Sequence, residues 1–260
     1  MSDPEGRFVW YDLVTTDPEA AVPFYEDVVG WGTTEWRNPE GGSSYRMWAN
    51  GQETVGGVMA LPEQARSSGA PPHWMLYIAS PEIDETVARA QELGGSVIVP
   101  VSRIPSIGRF AVLLDPQGAM FAVFASDGDF PGHEGPPNTG EFSWHELATT
   151  DPVAAFAFYS ELFGWVKTTE MDMGPDGIYQ MFGQTSDIPS GGIYRKNDQM
   201  PVSAWLPYAL VDNVRTAAER TTGGGGQILN GPMEVPGGEW IVQCQDPQGA
   251  MFALHSRTAN

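Results

Sequence analysis

From Phe8 to Val14 the chain reads as a strand, and then the period of its apolar residues changes. Asp17-Pro18 supplies a capping carboxylate followed by a proline, a pairing that opens a helix because the first helical amide needs no partner. Ala21, Phe24, Tyr25 and Val28 recur at helical spacing up to Gly30, where the helix is expected to end. Strand-like stretches follow near 31–37, 44–50 and 54–61, separated by Gly-rich turns. The order then restarts with HWMLYIA (73–79). Ser80-Pro81 is expected to open a helix that stops at the LGG of 93–95, and strands follow near 96–101, 108–114 and 119–125. DPQG is the turn between the last two.

The whole pattern occurs twice. FVWYDLVTTDPEAAVPFYEDVVGW returns 134 residues later as FSWHELATTDPVAAFAFYSELFGW, with 13 of 24 positions identical. DPQGAMFA is repeated without change at 115–122 and 246–253, an offset of 131, so the later copy has lost three residues, assigned to the loop after 55–62 and 190–197. Between the copies lies SDGDFPGHEGPPNTG (126–140), in which seven of 15 residues are Gly or Pro and no apolar period survives. These features predict a first domain over 1–126, a Gly/Pro-rich linker over 127–140 and a second domain over 141–260.

At 260 residues each copy has room for its own core. The chain has no run of 18 apolar residues and an acidic start, MSDPEGR, which argue against a membrane span or a secretory signal. The single Cys244 has no internal disulfide partner, which fits a reducing compartment and a cytoplasmic location. A net charge of -20 would repel nucleic acid and anionic lipid, would keep the chain soluble and would steer cationic small molecules toward it.

Four βαβββ modules, TTDPEAAVPFYEDVVGW as a first helix and a DPQGAMFAVF hairpin before the last strand resemble the vicinal oxygen chelate superfamily, the glyoxalase/bleomycin resistance/dioxygenase fold. The resemblance covers nearly the whole chain, once per half. It implies an α+β fold of two tandem glyoxalase-like domains with curved mixed sheets. The superfamily contains metal-dependent isomerases, lyases and dioxygenases together with metal-free drug-sequestering proteins, so the fold leaves the chemistry open.

The resemblance also implies where a metal would bind. Its usual first ligand, a His seven residues before the capping Asp, falls on Trp10 and Trp144, and its usual last ligand, a Glu, falls on Ala122 and Ala253. The ligand on the first strand of the second module falls on Met75 and Leu206, or on Trp74 and Trp205 if the register moves by one. Indole, methyl and thioether groups do not replace imidazole and carboxylate, so no metal and no cofactor is expected.

Side chains alternate along a strand, and the family register turns the Trp10 face into a cleft. That places Trp10, Asp12, Met75, Tyr77 and Phe124 in one cleft and Trp144, Glu146, Leu206, Tyr208 and His255 in the other, with Met120, Ala122, Met251 and Ala253 on the last strands. Such aromatic, thioether-lined surfaces suit a flat or amphipathic ligand. The second set is the richer in acid/base groups, with Glu146, Tyr208 and His255, and a carboxylate beside an indole is expected to hold its proton more tightly than in water. Two functions follow: a metal-independent protein binding a small aromatic or cationic molecule, or a glyoxalase-like lyase or isomerase using Glu146 and His255 or a remodelled site that includes His145. Either would act as a monomer or weak homodimer, because four modules in one chain complete both clefts.

The remaining candidates have simpler readings. His145, like its counterpart Tyr11, is expected to pack against the helix, and His73 and His133 are expected to face solvent. Arg109 has Glu239 at the matching point of the second copy, and serves as an anion anchor or decorates a hairpin. Cys244 reads as a buried inert thiol, TGGGGQ (222–227) as a helix cap and turn, and Trp31 and Trp165 as core anchors.

Overall fold

A computed structural model describes residues 5–39, 41, 44–129 and 135–258. The first half runs β1 (Phe8–Thr15), α1 (Pro18–Val28), β2 (Gly32–Arg37), β3 (Ser44–Asn50), β4 (Glu53–Ala60), a short α2 (Glu63–Ser67), β5 (His73–Ala79), α3 (Ile83–Glu92), β6 (Ser96–Ile104), β7 (Gly108–Leu114) and β8 (Met120–Ser126). The second runs β9 (Phe142–Thr149), α4 (Pro152–Phe163), β10 (Val166–Asp172), β11 (Ile178–Gly183), β12 (Gly191–Arg195), β13 (Ala204–Leu210), α5 (Val214–Gly223), β14 (Gln227–Glu234), β15 (Trp240–Gln245) and β16 (Met251–Ser256). The α+β architecture and the fourfold βαβββ order match the sequence expectation. No helix among the described residues is long and apolar enough to cross a membrane.

The strands form two eight-stranded mixed sheets, ordered β2-β3-β4-β1-β5-β8-β7-β6 and β10-β11-β12-β9-β13-β16-β15-β14. In each, the first and last strands of a module pair in parallel, as Asp12 with Gly57 and Glu146 with Gly192, and the consecutive strands within a module's three-stranded meander pair antiparallel. The chain divides into two compact units that each draw on both halves. One comprises residues 1–10, 75–131 and 145–205, and the other 11–74, 132–144 and 206–260.

The cap residues explain why the helices start where they do. Asp17 accepts from the Ala20 amide, Asp151 accepts from Val153 and Ala154, and Asn213 does the same for α5 with Arg215 and Thr216. Helix α3 departs from expectation. It begins after Glu82, with no side-chain cap, because the Ser80 hydroxyl turns inward and pairs with Thr86 Oγ1 at 2.6 Å. The three-residue shortening falls in the expected loop, where α2 has no counterpart. The TGGGGQ run caps α5 at Gly224 and turns at Gly225, φ +88°. The end of the linker is tied down rather than loose: Asn50 donates to the Thr139 carbonyl, Thr139 to Asp212 and Arg257 to the Pro137 carbonyl.

Each unit is centred on the same buried chain of hydrogen bonds. In one, Trp205 Nε1 donates to Tyr159 Oη at 3.0 Å, and Tyr159 donates to Asp115 Oδ2 at 3.1 Å. Asp115 Oδ1 also accepts from the amides of Gln117 and Ala119. In the other, Trp74 donates to Tyr25 at 3.1 Å, Tyr25 to Asp246 at 3.1 Å, and Asp246 accepts from Gln248 and Ala250. The aspartate of each DPQG turn therefore holds a helix tyrosine that belongs to the opposite repeat. Trp31 and Trp165 are core anchors as expected, and each indole also donates to a glycine carbonyl, of Gly140 at 2.7 Å and Gly6 at 2.8 Å. Gly6 is obligatory because φ is +77° and a Cβ there would press on the Phe163 carbonyl and the Trp165 ring.

Replacing Tyr25 or Tyr159 by Phe removes one hydroxyl and strands both an indole N–H and a buried carboxylate. Urea denaturation of either variant is expected to show a loss of roughly 1–3 kcal/mol in unfolding free energy.

Candidate functional site

Each first module carries a buried carboxylate beneath a tyrosine. On β1, Asp12 is 4% exposed and accepts a hydrogen bond from the Tyr45 hydroxyl of β3. On β9, Glu146 is 8% exposed and accepts from the Tyr179 hydroxyl of β11 at 2.9 Å. The strand beside the carboxylate carries glycine in both cases. A Cβ at Gly57 would overlap the Tyr45 hydroxyl, and one at Gly192 would overlap the Tyr179 ring. The second copy adds Tyr194, stacked on Tyr179 at 5.7 Å, whose hydroxyl pKa is pushed upward by burial and by the Glu146 charge.

A second polar group lies between β9, β13, β15 and β16. His255 Nδ1 is 2.9 Å from Ser143 Oγ, and His255 Nε2 is 3.2 Å from Glu239 Oε2. Gln243 Nε2 donates to Tyr208 Oη at 2.7 Å, and Ser143 Oγ lies 3.3 Å from the Tyr208 carbonyl. Burial lowers the His255 pKa, the Glu239 carboxylate opposes that shift, and the Arg257 charge adds to it. Beside this group, Leu206, Tyr208 and Ala253 form a buried apolar floor on which Trp144 and Ile241 pack.

The units sort the expected site residues. Trp10, Met75, Tyr77, Phe124 and Glu146 belong to one, and Asp12, Trp144, Leu206, Tyr208 and His255 to the other. Tyr77 packs with Phe110 on a floor of Val9, Ala79 and Phe124. The Trp74 and Trp205 side chains point to the helix tyrosines, so Leu206, not Trp205, joins the floor beside Tyr208. Strict alternation fails on β9. Phe142 packs on Tyr11, Trp31 and Trp74, yet both Ser143 and Trp144 face the His255 and Leu206 side. His145 packs in the core of the other unit, stacked on Phe8 at 3.7 Å, with Nδ1–H donating to the Ser190 carbonyl.

Arg109 is an ion-pair partner of Asp84, and the strand pairings place Trp240, not Glu239, at its matching point. The Trp240 ring lies under the Arg215 guanidinium at 4.5 Å. His73, expected in solvent, is half-buried with Nδ1 2.9 Å from the Pro71 carbonyl. Cys244 is fully buried, and burial pushes its thiol up to about 12. His133 lies outside the described residues. Sequence reasoning missed Tyr45, Tyr179, Gly57 and Gly192, although SYRM/IYQM and VGG/SGG recur in the two halves at offsets of 134 and 135.

Residues 7–123 and 141–254 both match the Glyoxalase/Bleomycin resistance protein/Dioxygenase superfamily. The chain belongs to that superfamily. "Putative glyoxylase CFP32" of Mycobacterium tuberculosis is 31% identical over 250 residues, covering 96% of this chain and 94% of that protein. "Anthracycline biosynthesis protein DnrV" of Streptomyces peucetius is 28% identical over 260 residues, covering 96% and 92%. Among solved structures, the Mn(II)-bound glyoxalase of Novosphingobium aromaticivorans superposes with a TM-score of 0.65 at 17% identity, covering 98% of this chain and 82% of that one. Homoprotocatechuate 2,3-dioxygenase of Brevibacterium fuscum gives 0.66 at 16%, with the same coverage. At these identities the structures share the fold alone.

Among the described residues no three His, Cys, Asp or Glu side chains cluster. Asp12 and Glu146 each accept a hydrogen bond from a tyrosine hydroxyl.

Burial holds the His145 pKa at about 4 against an ordinary value of 6.5, so the unfolded chain takes up a proton before the folded one does. Stability from this residue is complete above pH 6.5 and is lost as pH falls toward about 4, by about 3 kcal/mol in all. His145→Phe is expected to remove that part of the acid dependence in urea titrations across this range. Subtracting the two profiles isolates it from Asp115 and Asp246, whose pKa values are raised by burial and which act in the opposite direction.

Proposed function

We propose that this superfamily member binds a flat aromatic molecule on its apolar strand faces without a metal, as drug-sequestering proteins do. The observation that carries the reading is Trp144, a partly exposed indole lying on the buried floor of Leu206, Tyr208 and Ala253. An aromatic surface already packed from below presents a ligand with a stacking face at little entropic cost. The Tyr77 and Phe110 surface of the other unit supplies a second such face. Relatives named for anthracycline biosynthesis point to planar polycyclic compounds as the class to test first. The charge of -20 favours those that carry an amine. In this reading the protein works in the cytoplasm as a monomer or weak homodimer, with no nucleic acid or membrane partner.

A second reading, a glyoxalase-like lyase or isomerase using Glu146 and not His255, which belongs to the other unit, draws on the relatives named glyoxylase and on the Glu146–Tyr179 bond. Equilibrium dialysis and tryptophan quenching against planar aromatic amines and their neutral analogues separate the two. Binding that weakens about tenfold in Trp144→Ala, about 1.4 kcal/mol, supports the first. Turnover of an α-oxoaldehyde adduct abolished by Glu146→Gln supports the second and displaces it.

A further inference from the structure

The two repeats act as each other's control, and at one place they differ in a coordinated way. In the second, Ser143, His255 and Glu239 form a connected line: Oγ to Nδ1 at 2.9 Å, then Nε2 to Oε2 at 3.2 Å. In the first, the positions of Ser143 and His255 hold Val9 and Phe124, which share an apolar cluster, and the position of Glu239 holds Gly108. Three positions on separate stretches of chain have exchanged apolar or absent side chains for a hydroxyl, an imidazole and a carboxylate. They lie in the order in which those groups pass a proton.

One neutral tautomer satisfies the whole line. His255 Nε2–H donates to Glu239, which leaves the Nδ1 lone pair to accept the Ser143 proton. The competing acceptor of that proton, the Tyr208 carbonyl, is farther away at 3.3 Å. The His255 side chain is 13% exposed and Glu239 49%, and Ser143 is half-buried, so the middle of the line is the most sheltered and both ends remain open to solvent. Burial, with Arg257 nearby, keeps His255 neutral at neutral pH despite the pull of Glu239.

We propose that Ser143, His255 and Glu239 form a nucleophile relay that hydrolyses small carboxylic esters, with Trp144 and Ile241 beside it receiving the apolar part of the substrate. This goes beyond the binding function and does not depend on it. Ser143 Oγ attacks the ester carbonyl carbon and its proton passes to His255 Nδ1. The C–O bond to the alcohol breaks, and the alkoxide leaves with that proton, giving an acyl-serine. Water then attacks the acyl carbon, giving a proton to Nδ1, which returns it to Ser143 Oγ as the carboxylic acid departs. Ester and water become acid and alcohol, with no other reactant. Glu239 is a positioning residue that holds the Nε2–H tautomer.

The test uses the full chain with p-nitrophenyl acetate and butyrate, and diisopropyl fluorophosphate as a covalent probe read by peptide mass spectrometry. Ser143→Val and His255→Phe install the residues of the first repeat, and thermal melts confirm that they fold. The expected result is a phosphoryl adduct on Ser143 and hydrolysis reduced roughly 100-fold or more in both variants. Glu239→Gln is expected to lower the rate and to move the acid limb of the pH–rate profile to lower pH, which a merely structural residue would not do. A folded Ser143→Val that hydrolyses ester at the parent rate, with no label on Ser143, overturns the proposal. Dialysis of planar aromatics against the same proteins reports on the binding function separately.

Discussion

The fold rests on a carboxylate that is buried and nearly saturated with donors. Asp115 and Asp246 each take two backbone amides and one phenol, and that phenol takes an indole N–H. An aspartate out of water is costly unless its lone pairs are met, and burial raises the pKa of both. The DPQG turn meets half of the demand locally by aiming its own amides at the side chain. The other half has to come from a helix far away in sequence, so the turn selects which helix packs on it. That selection draws each compact unit from both repeats.

Around this frame the repeats keep some chemistry and vary the rest. The carboxylate of the first strand, its tyrosine and the glycine that makes room for the ring are present in both, as Asp12, Tyr45 and Gly57 and as Glu146, Tyr179 and Gly192. Tyr194 stands beside Glu146, whereas the matching residue of β4 is Met59, with no hydroxyl to offer. Where Val9 and Phe124 pack as hydrocarbon, Ser143 and His255 exchange a proton donor and acceptor. Duplication kept the architecture in two copies and let these strand faces drift apart in polarity.

The fold was legible because helix caps, strand periods and the DPQG turns are local signals. Asp17, Asp151 and both turns do what their types require. The candidate site was only partly legible, and the misses have a common physical origin. A period-two rule assumes an unbroken strand, and it assigned Ser143 and Trp144 to opposite faces, when both turn the same way. Counting along a hairpin placed Glu239 opposite Arg109, when the ladder sets Trp240 there. Tyr45 and Tyr179 lie on third strands, where the family register directs no attention. Only the recurrence of YxM and of paired glycines marks them.

The bond from Tyr25 to Asp246 joins residues 221 positions apart. Closing so long a loop carries an entropic cost that is met before this contact forms. During synthesis, the ribosome has to deliver the chain through Asp246 before α1 meets its carboxylate, while the partners of Asp115 have emerged as soon as Trp205 is made. One hydrophobic core can therefore assemble on the nascent polypeptide, while the other waits, with Tyr25 and Trp74 unsatisfied, for the final hairpin.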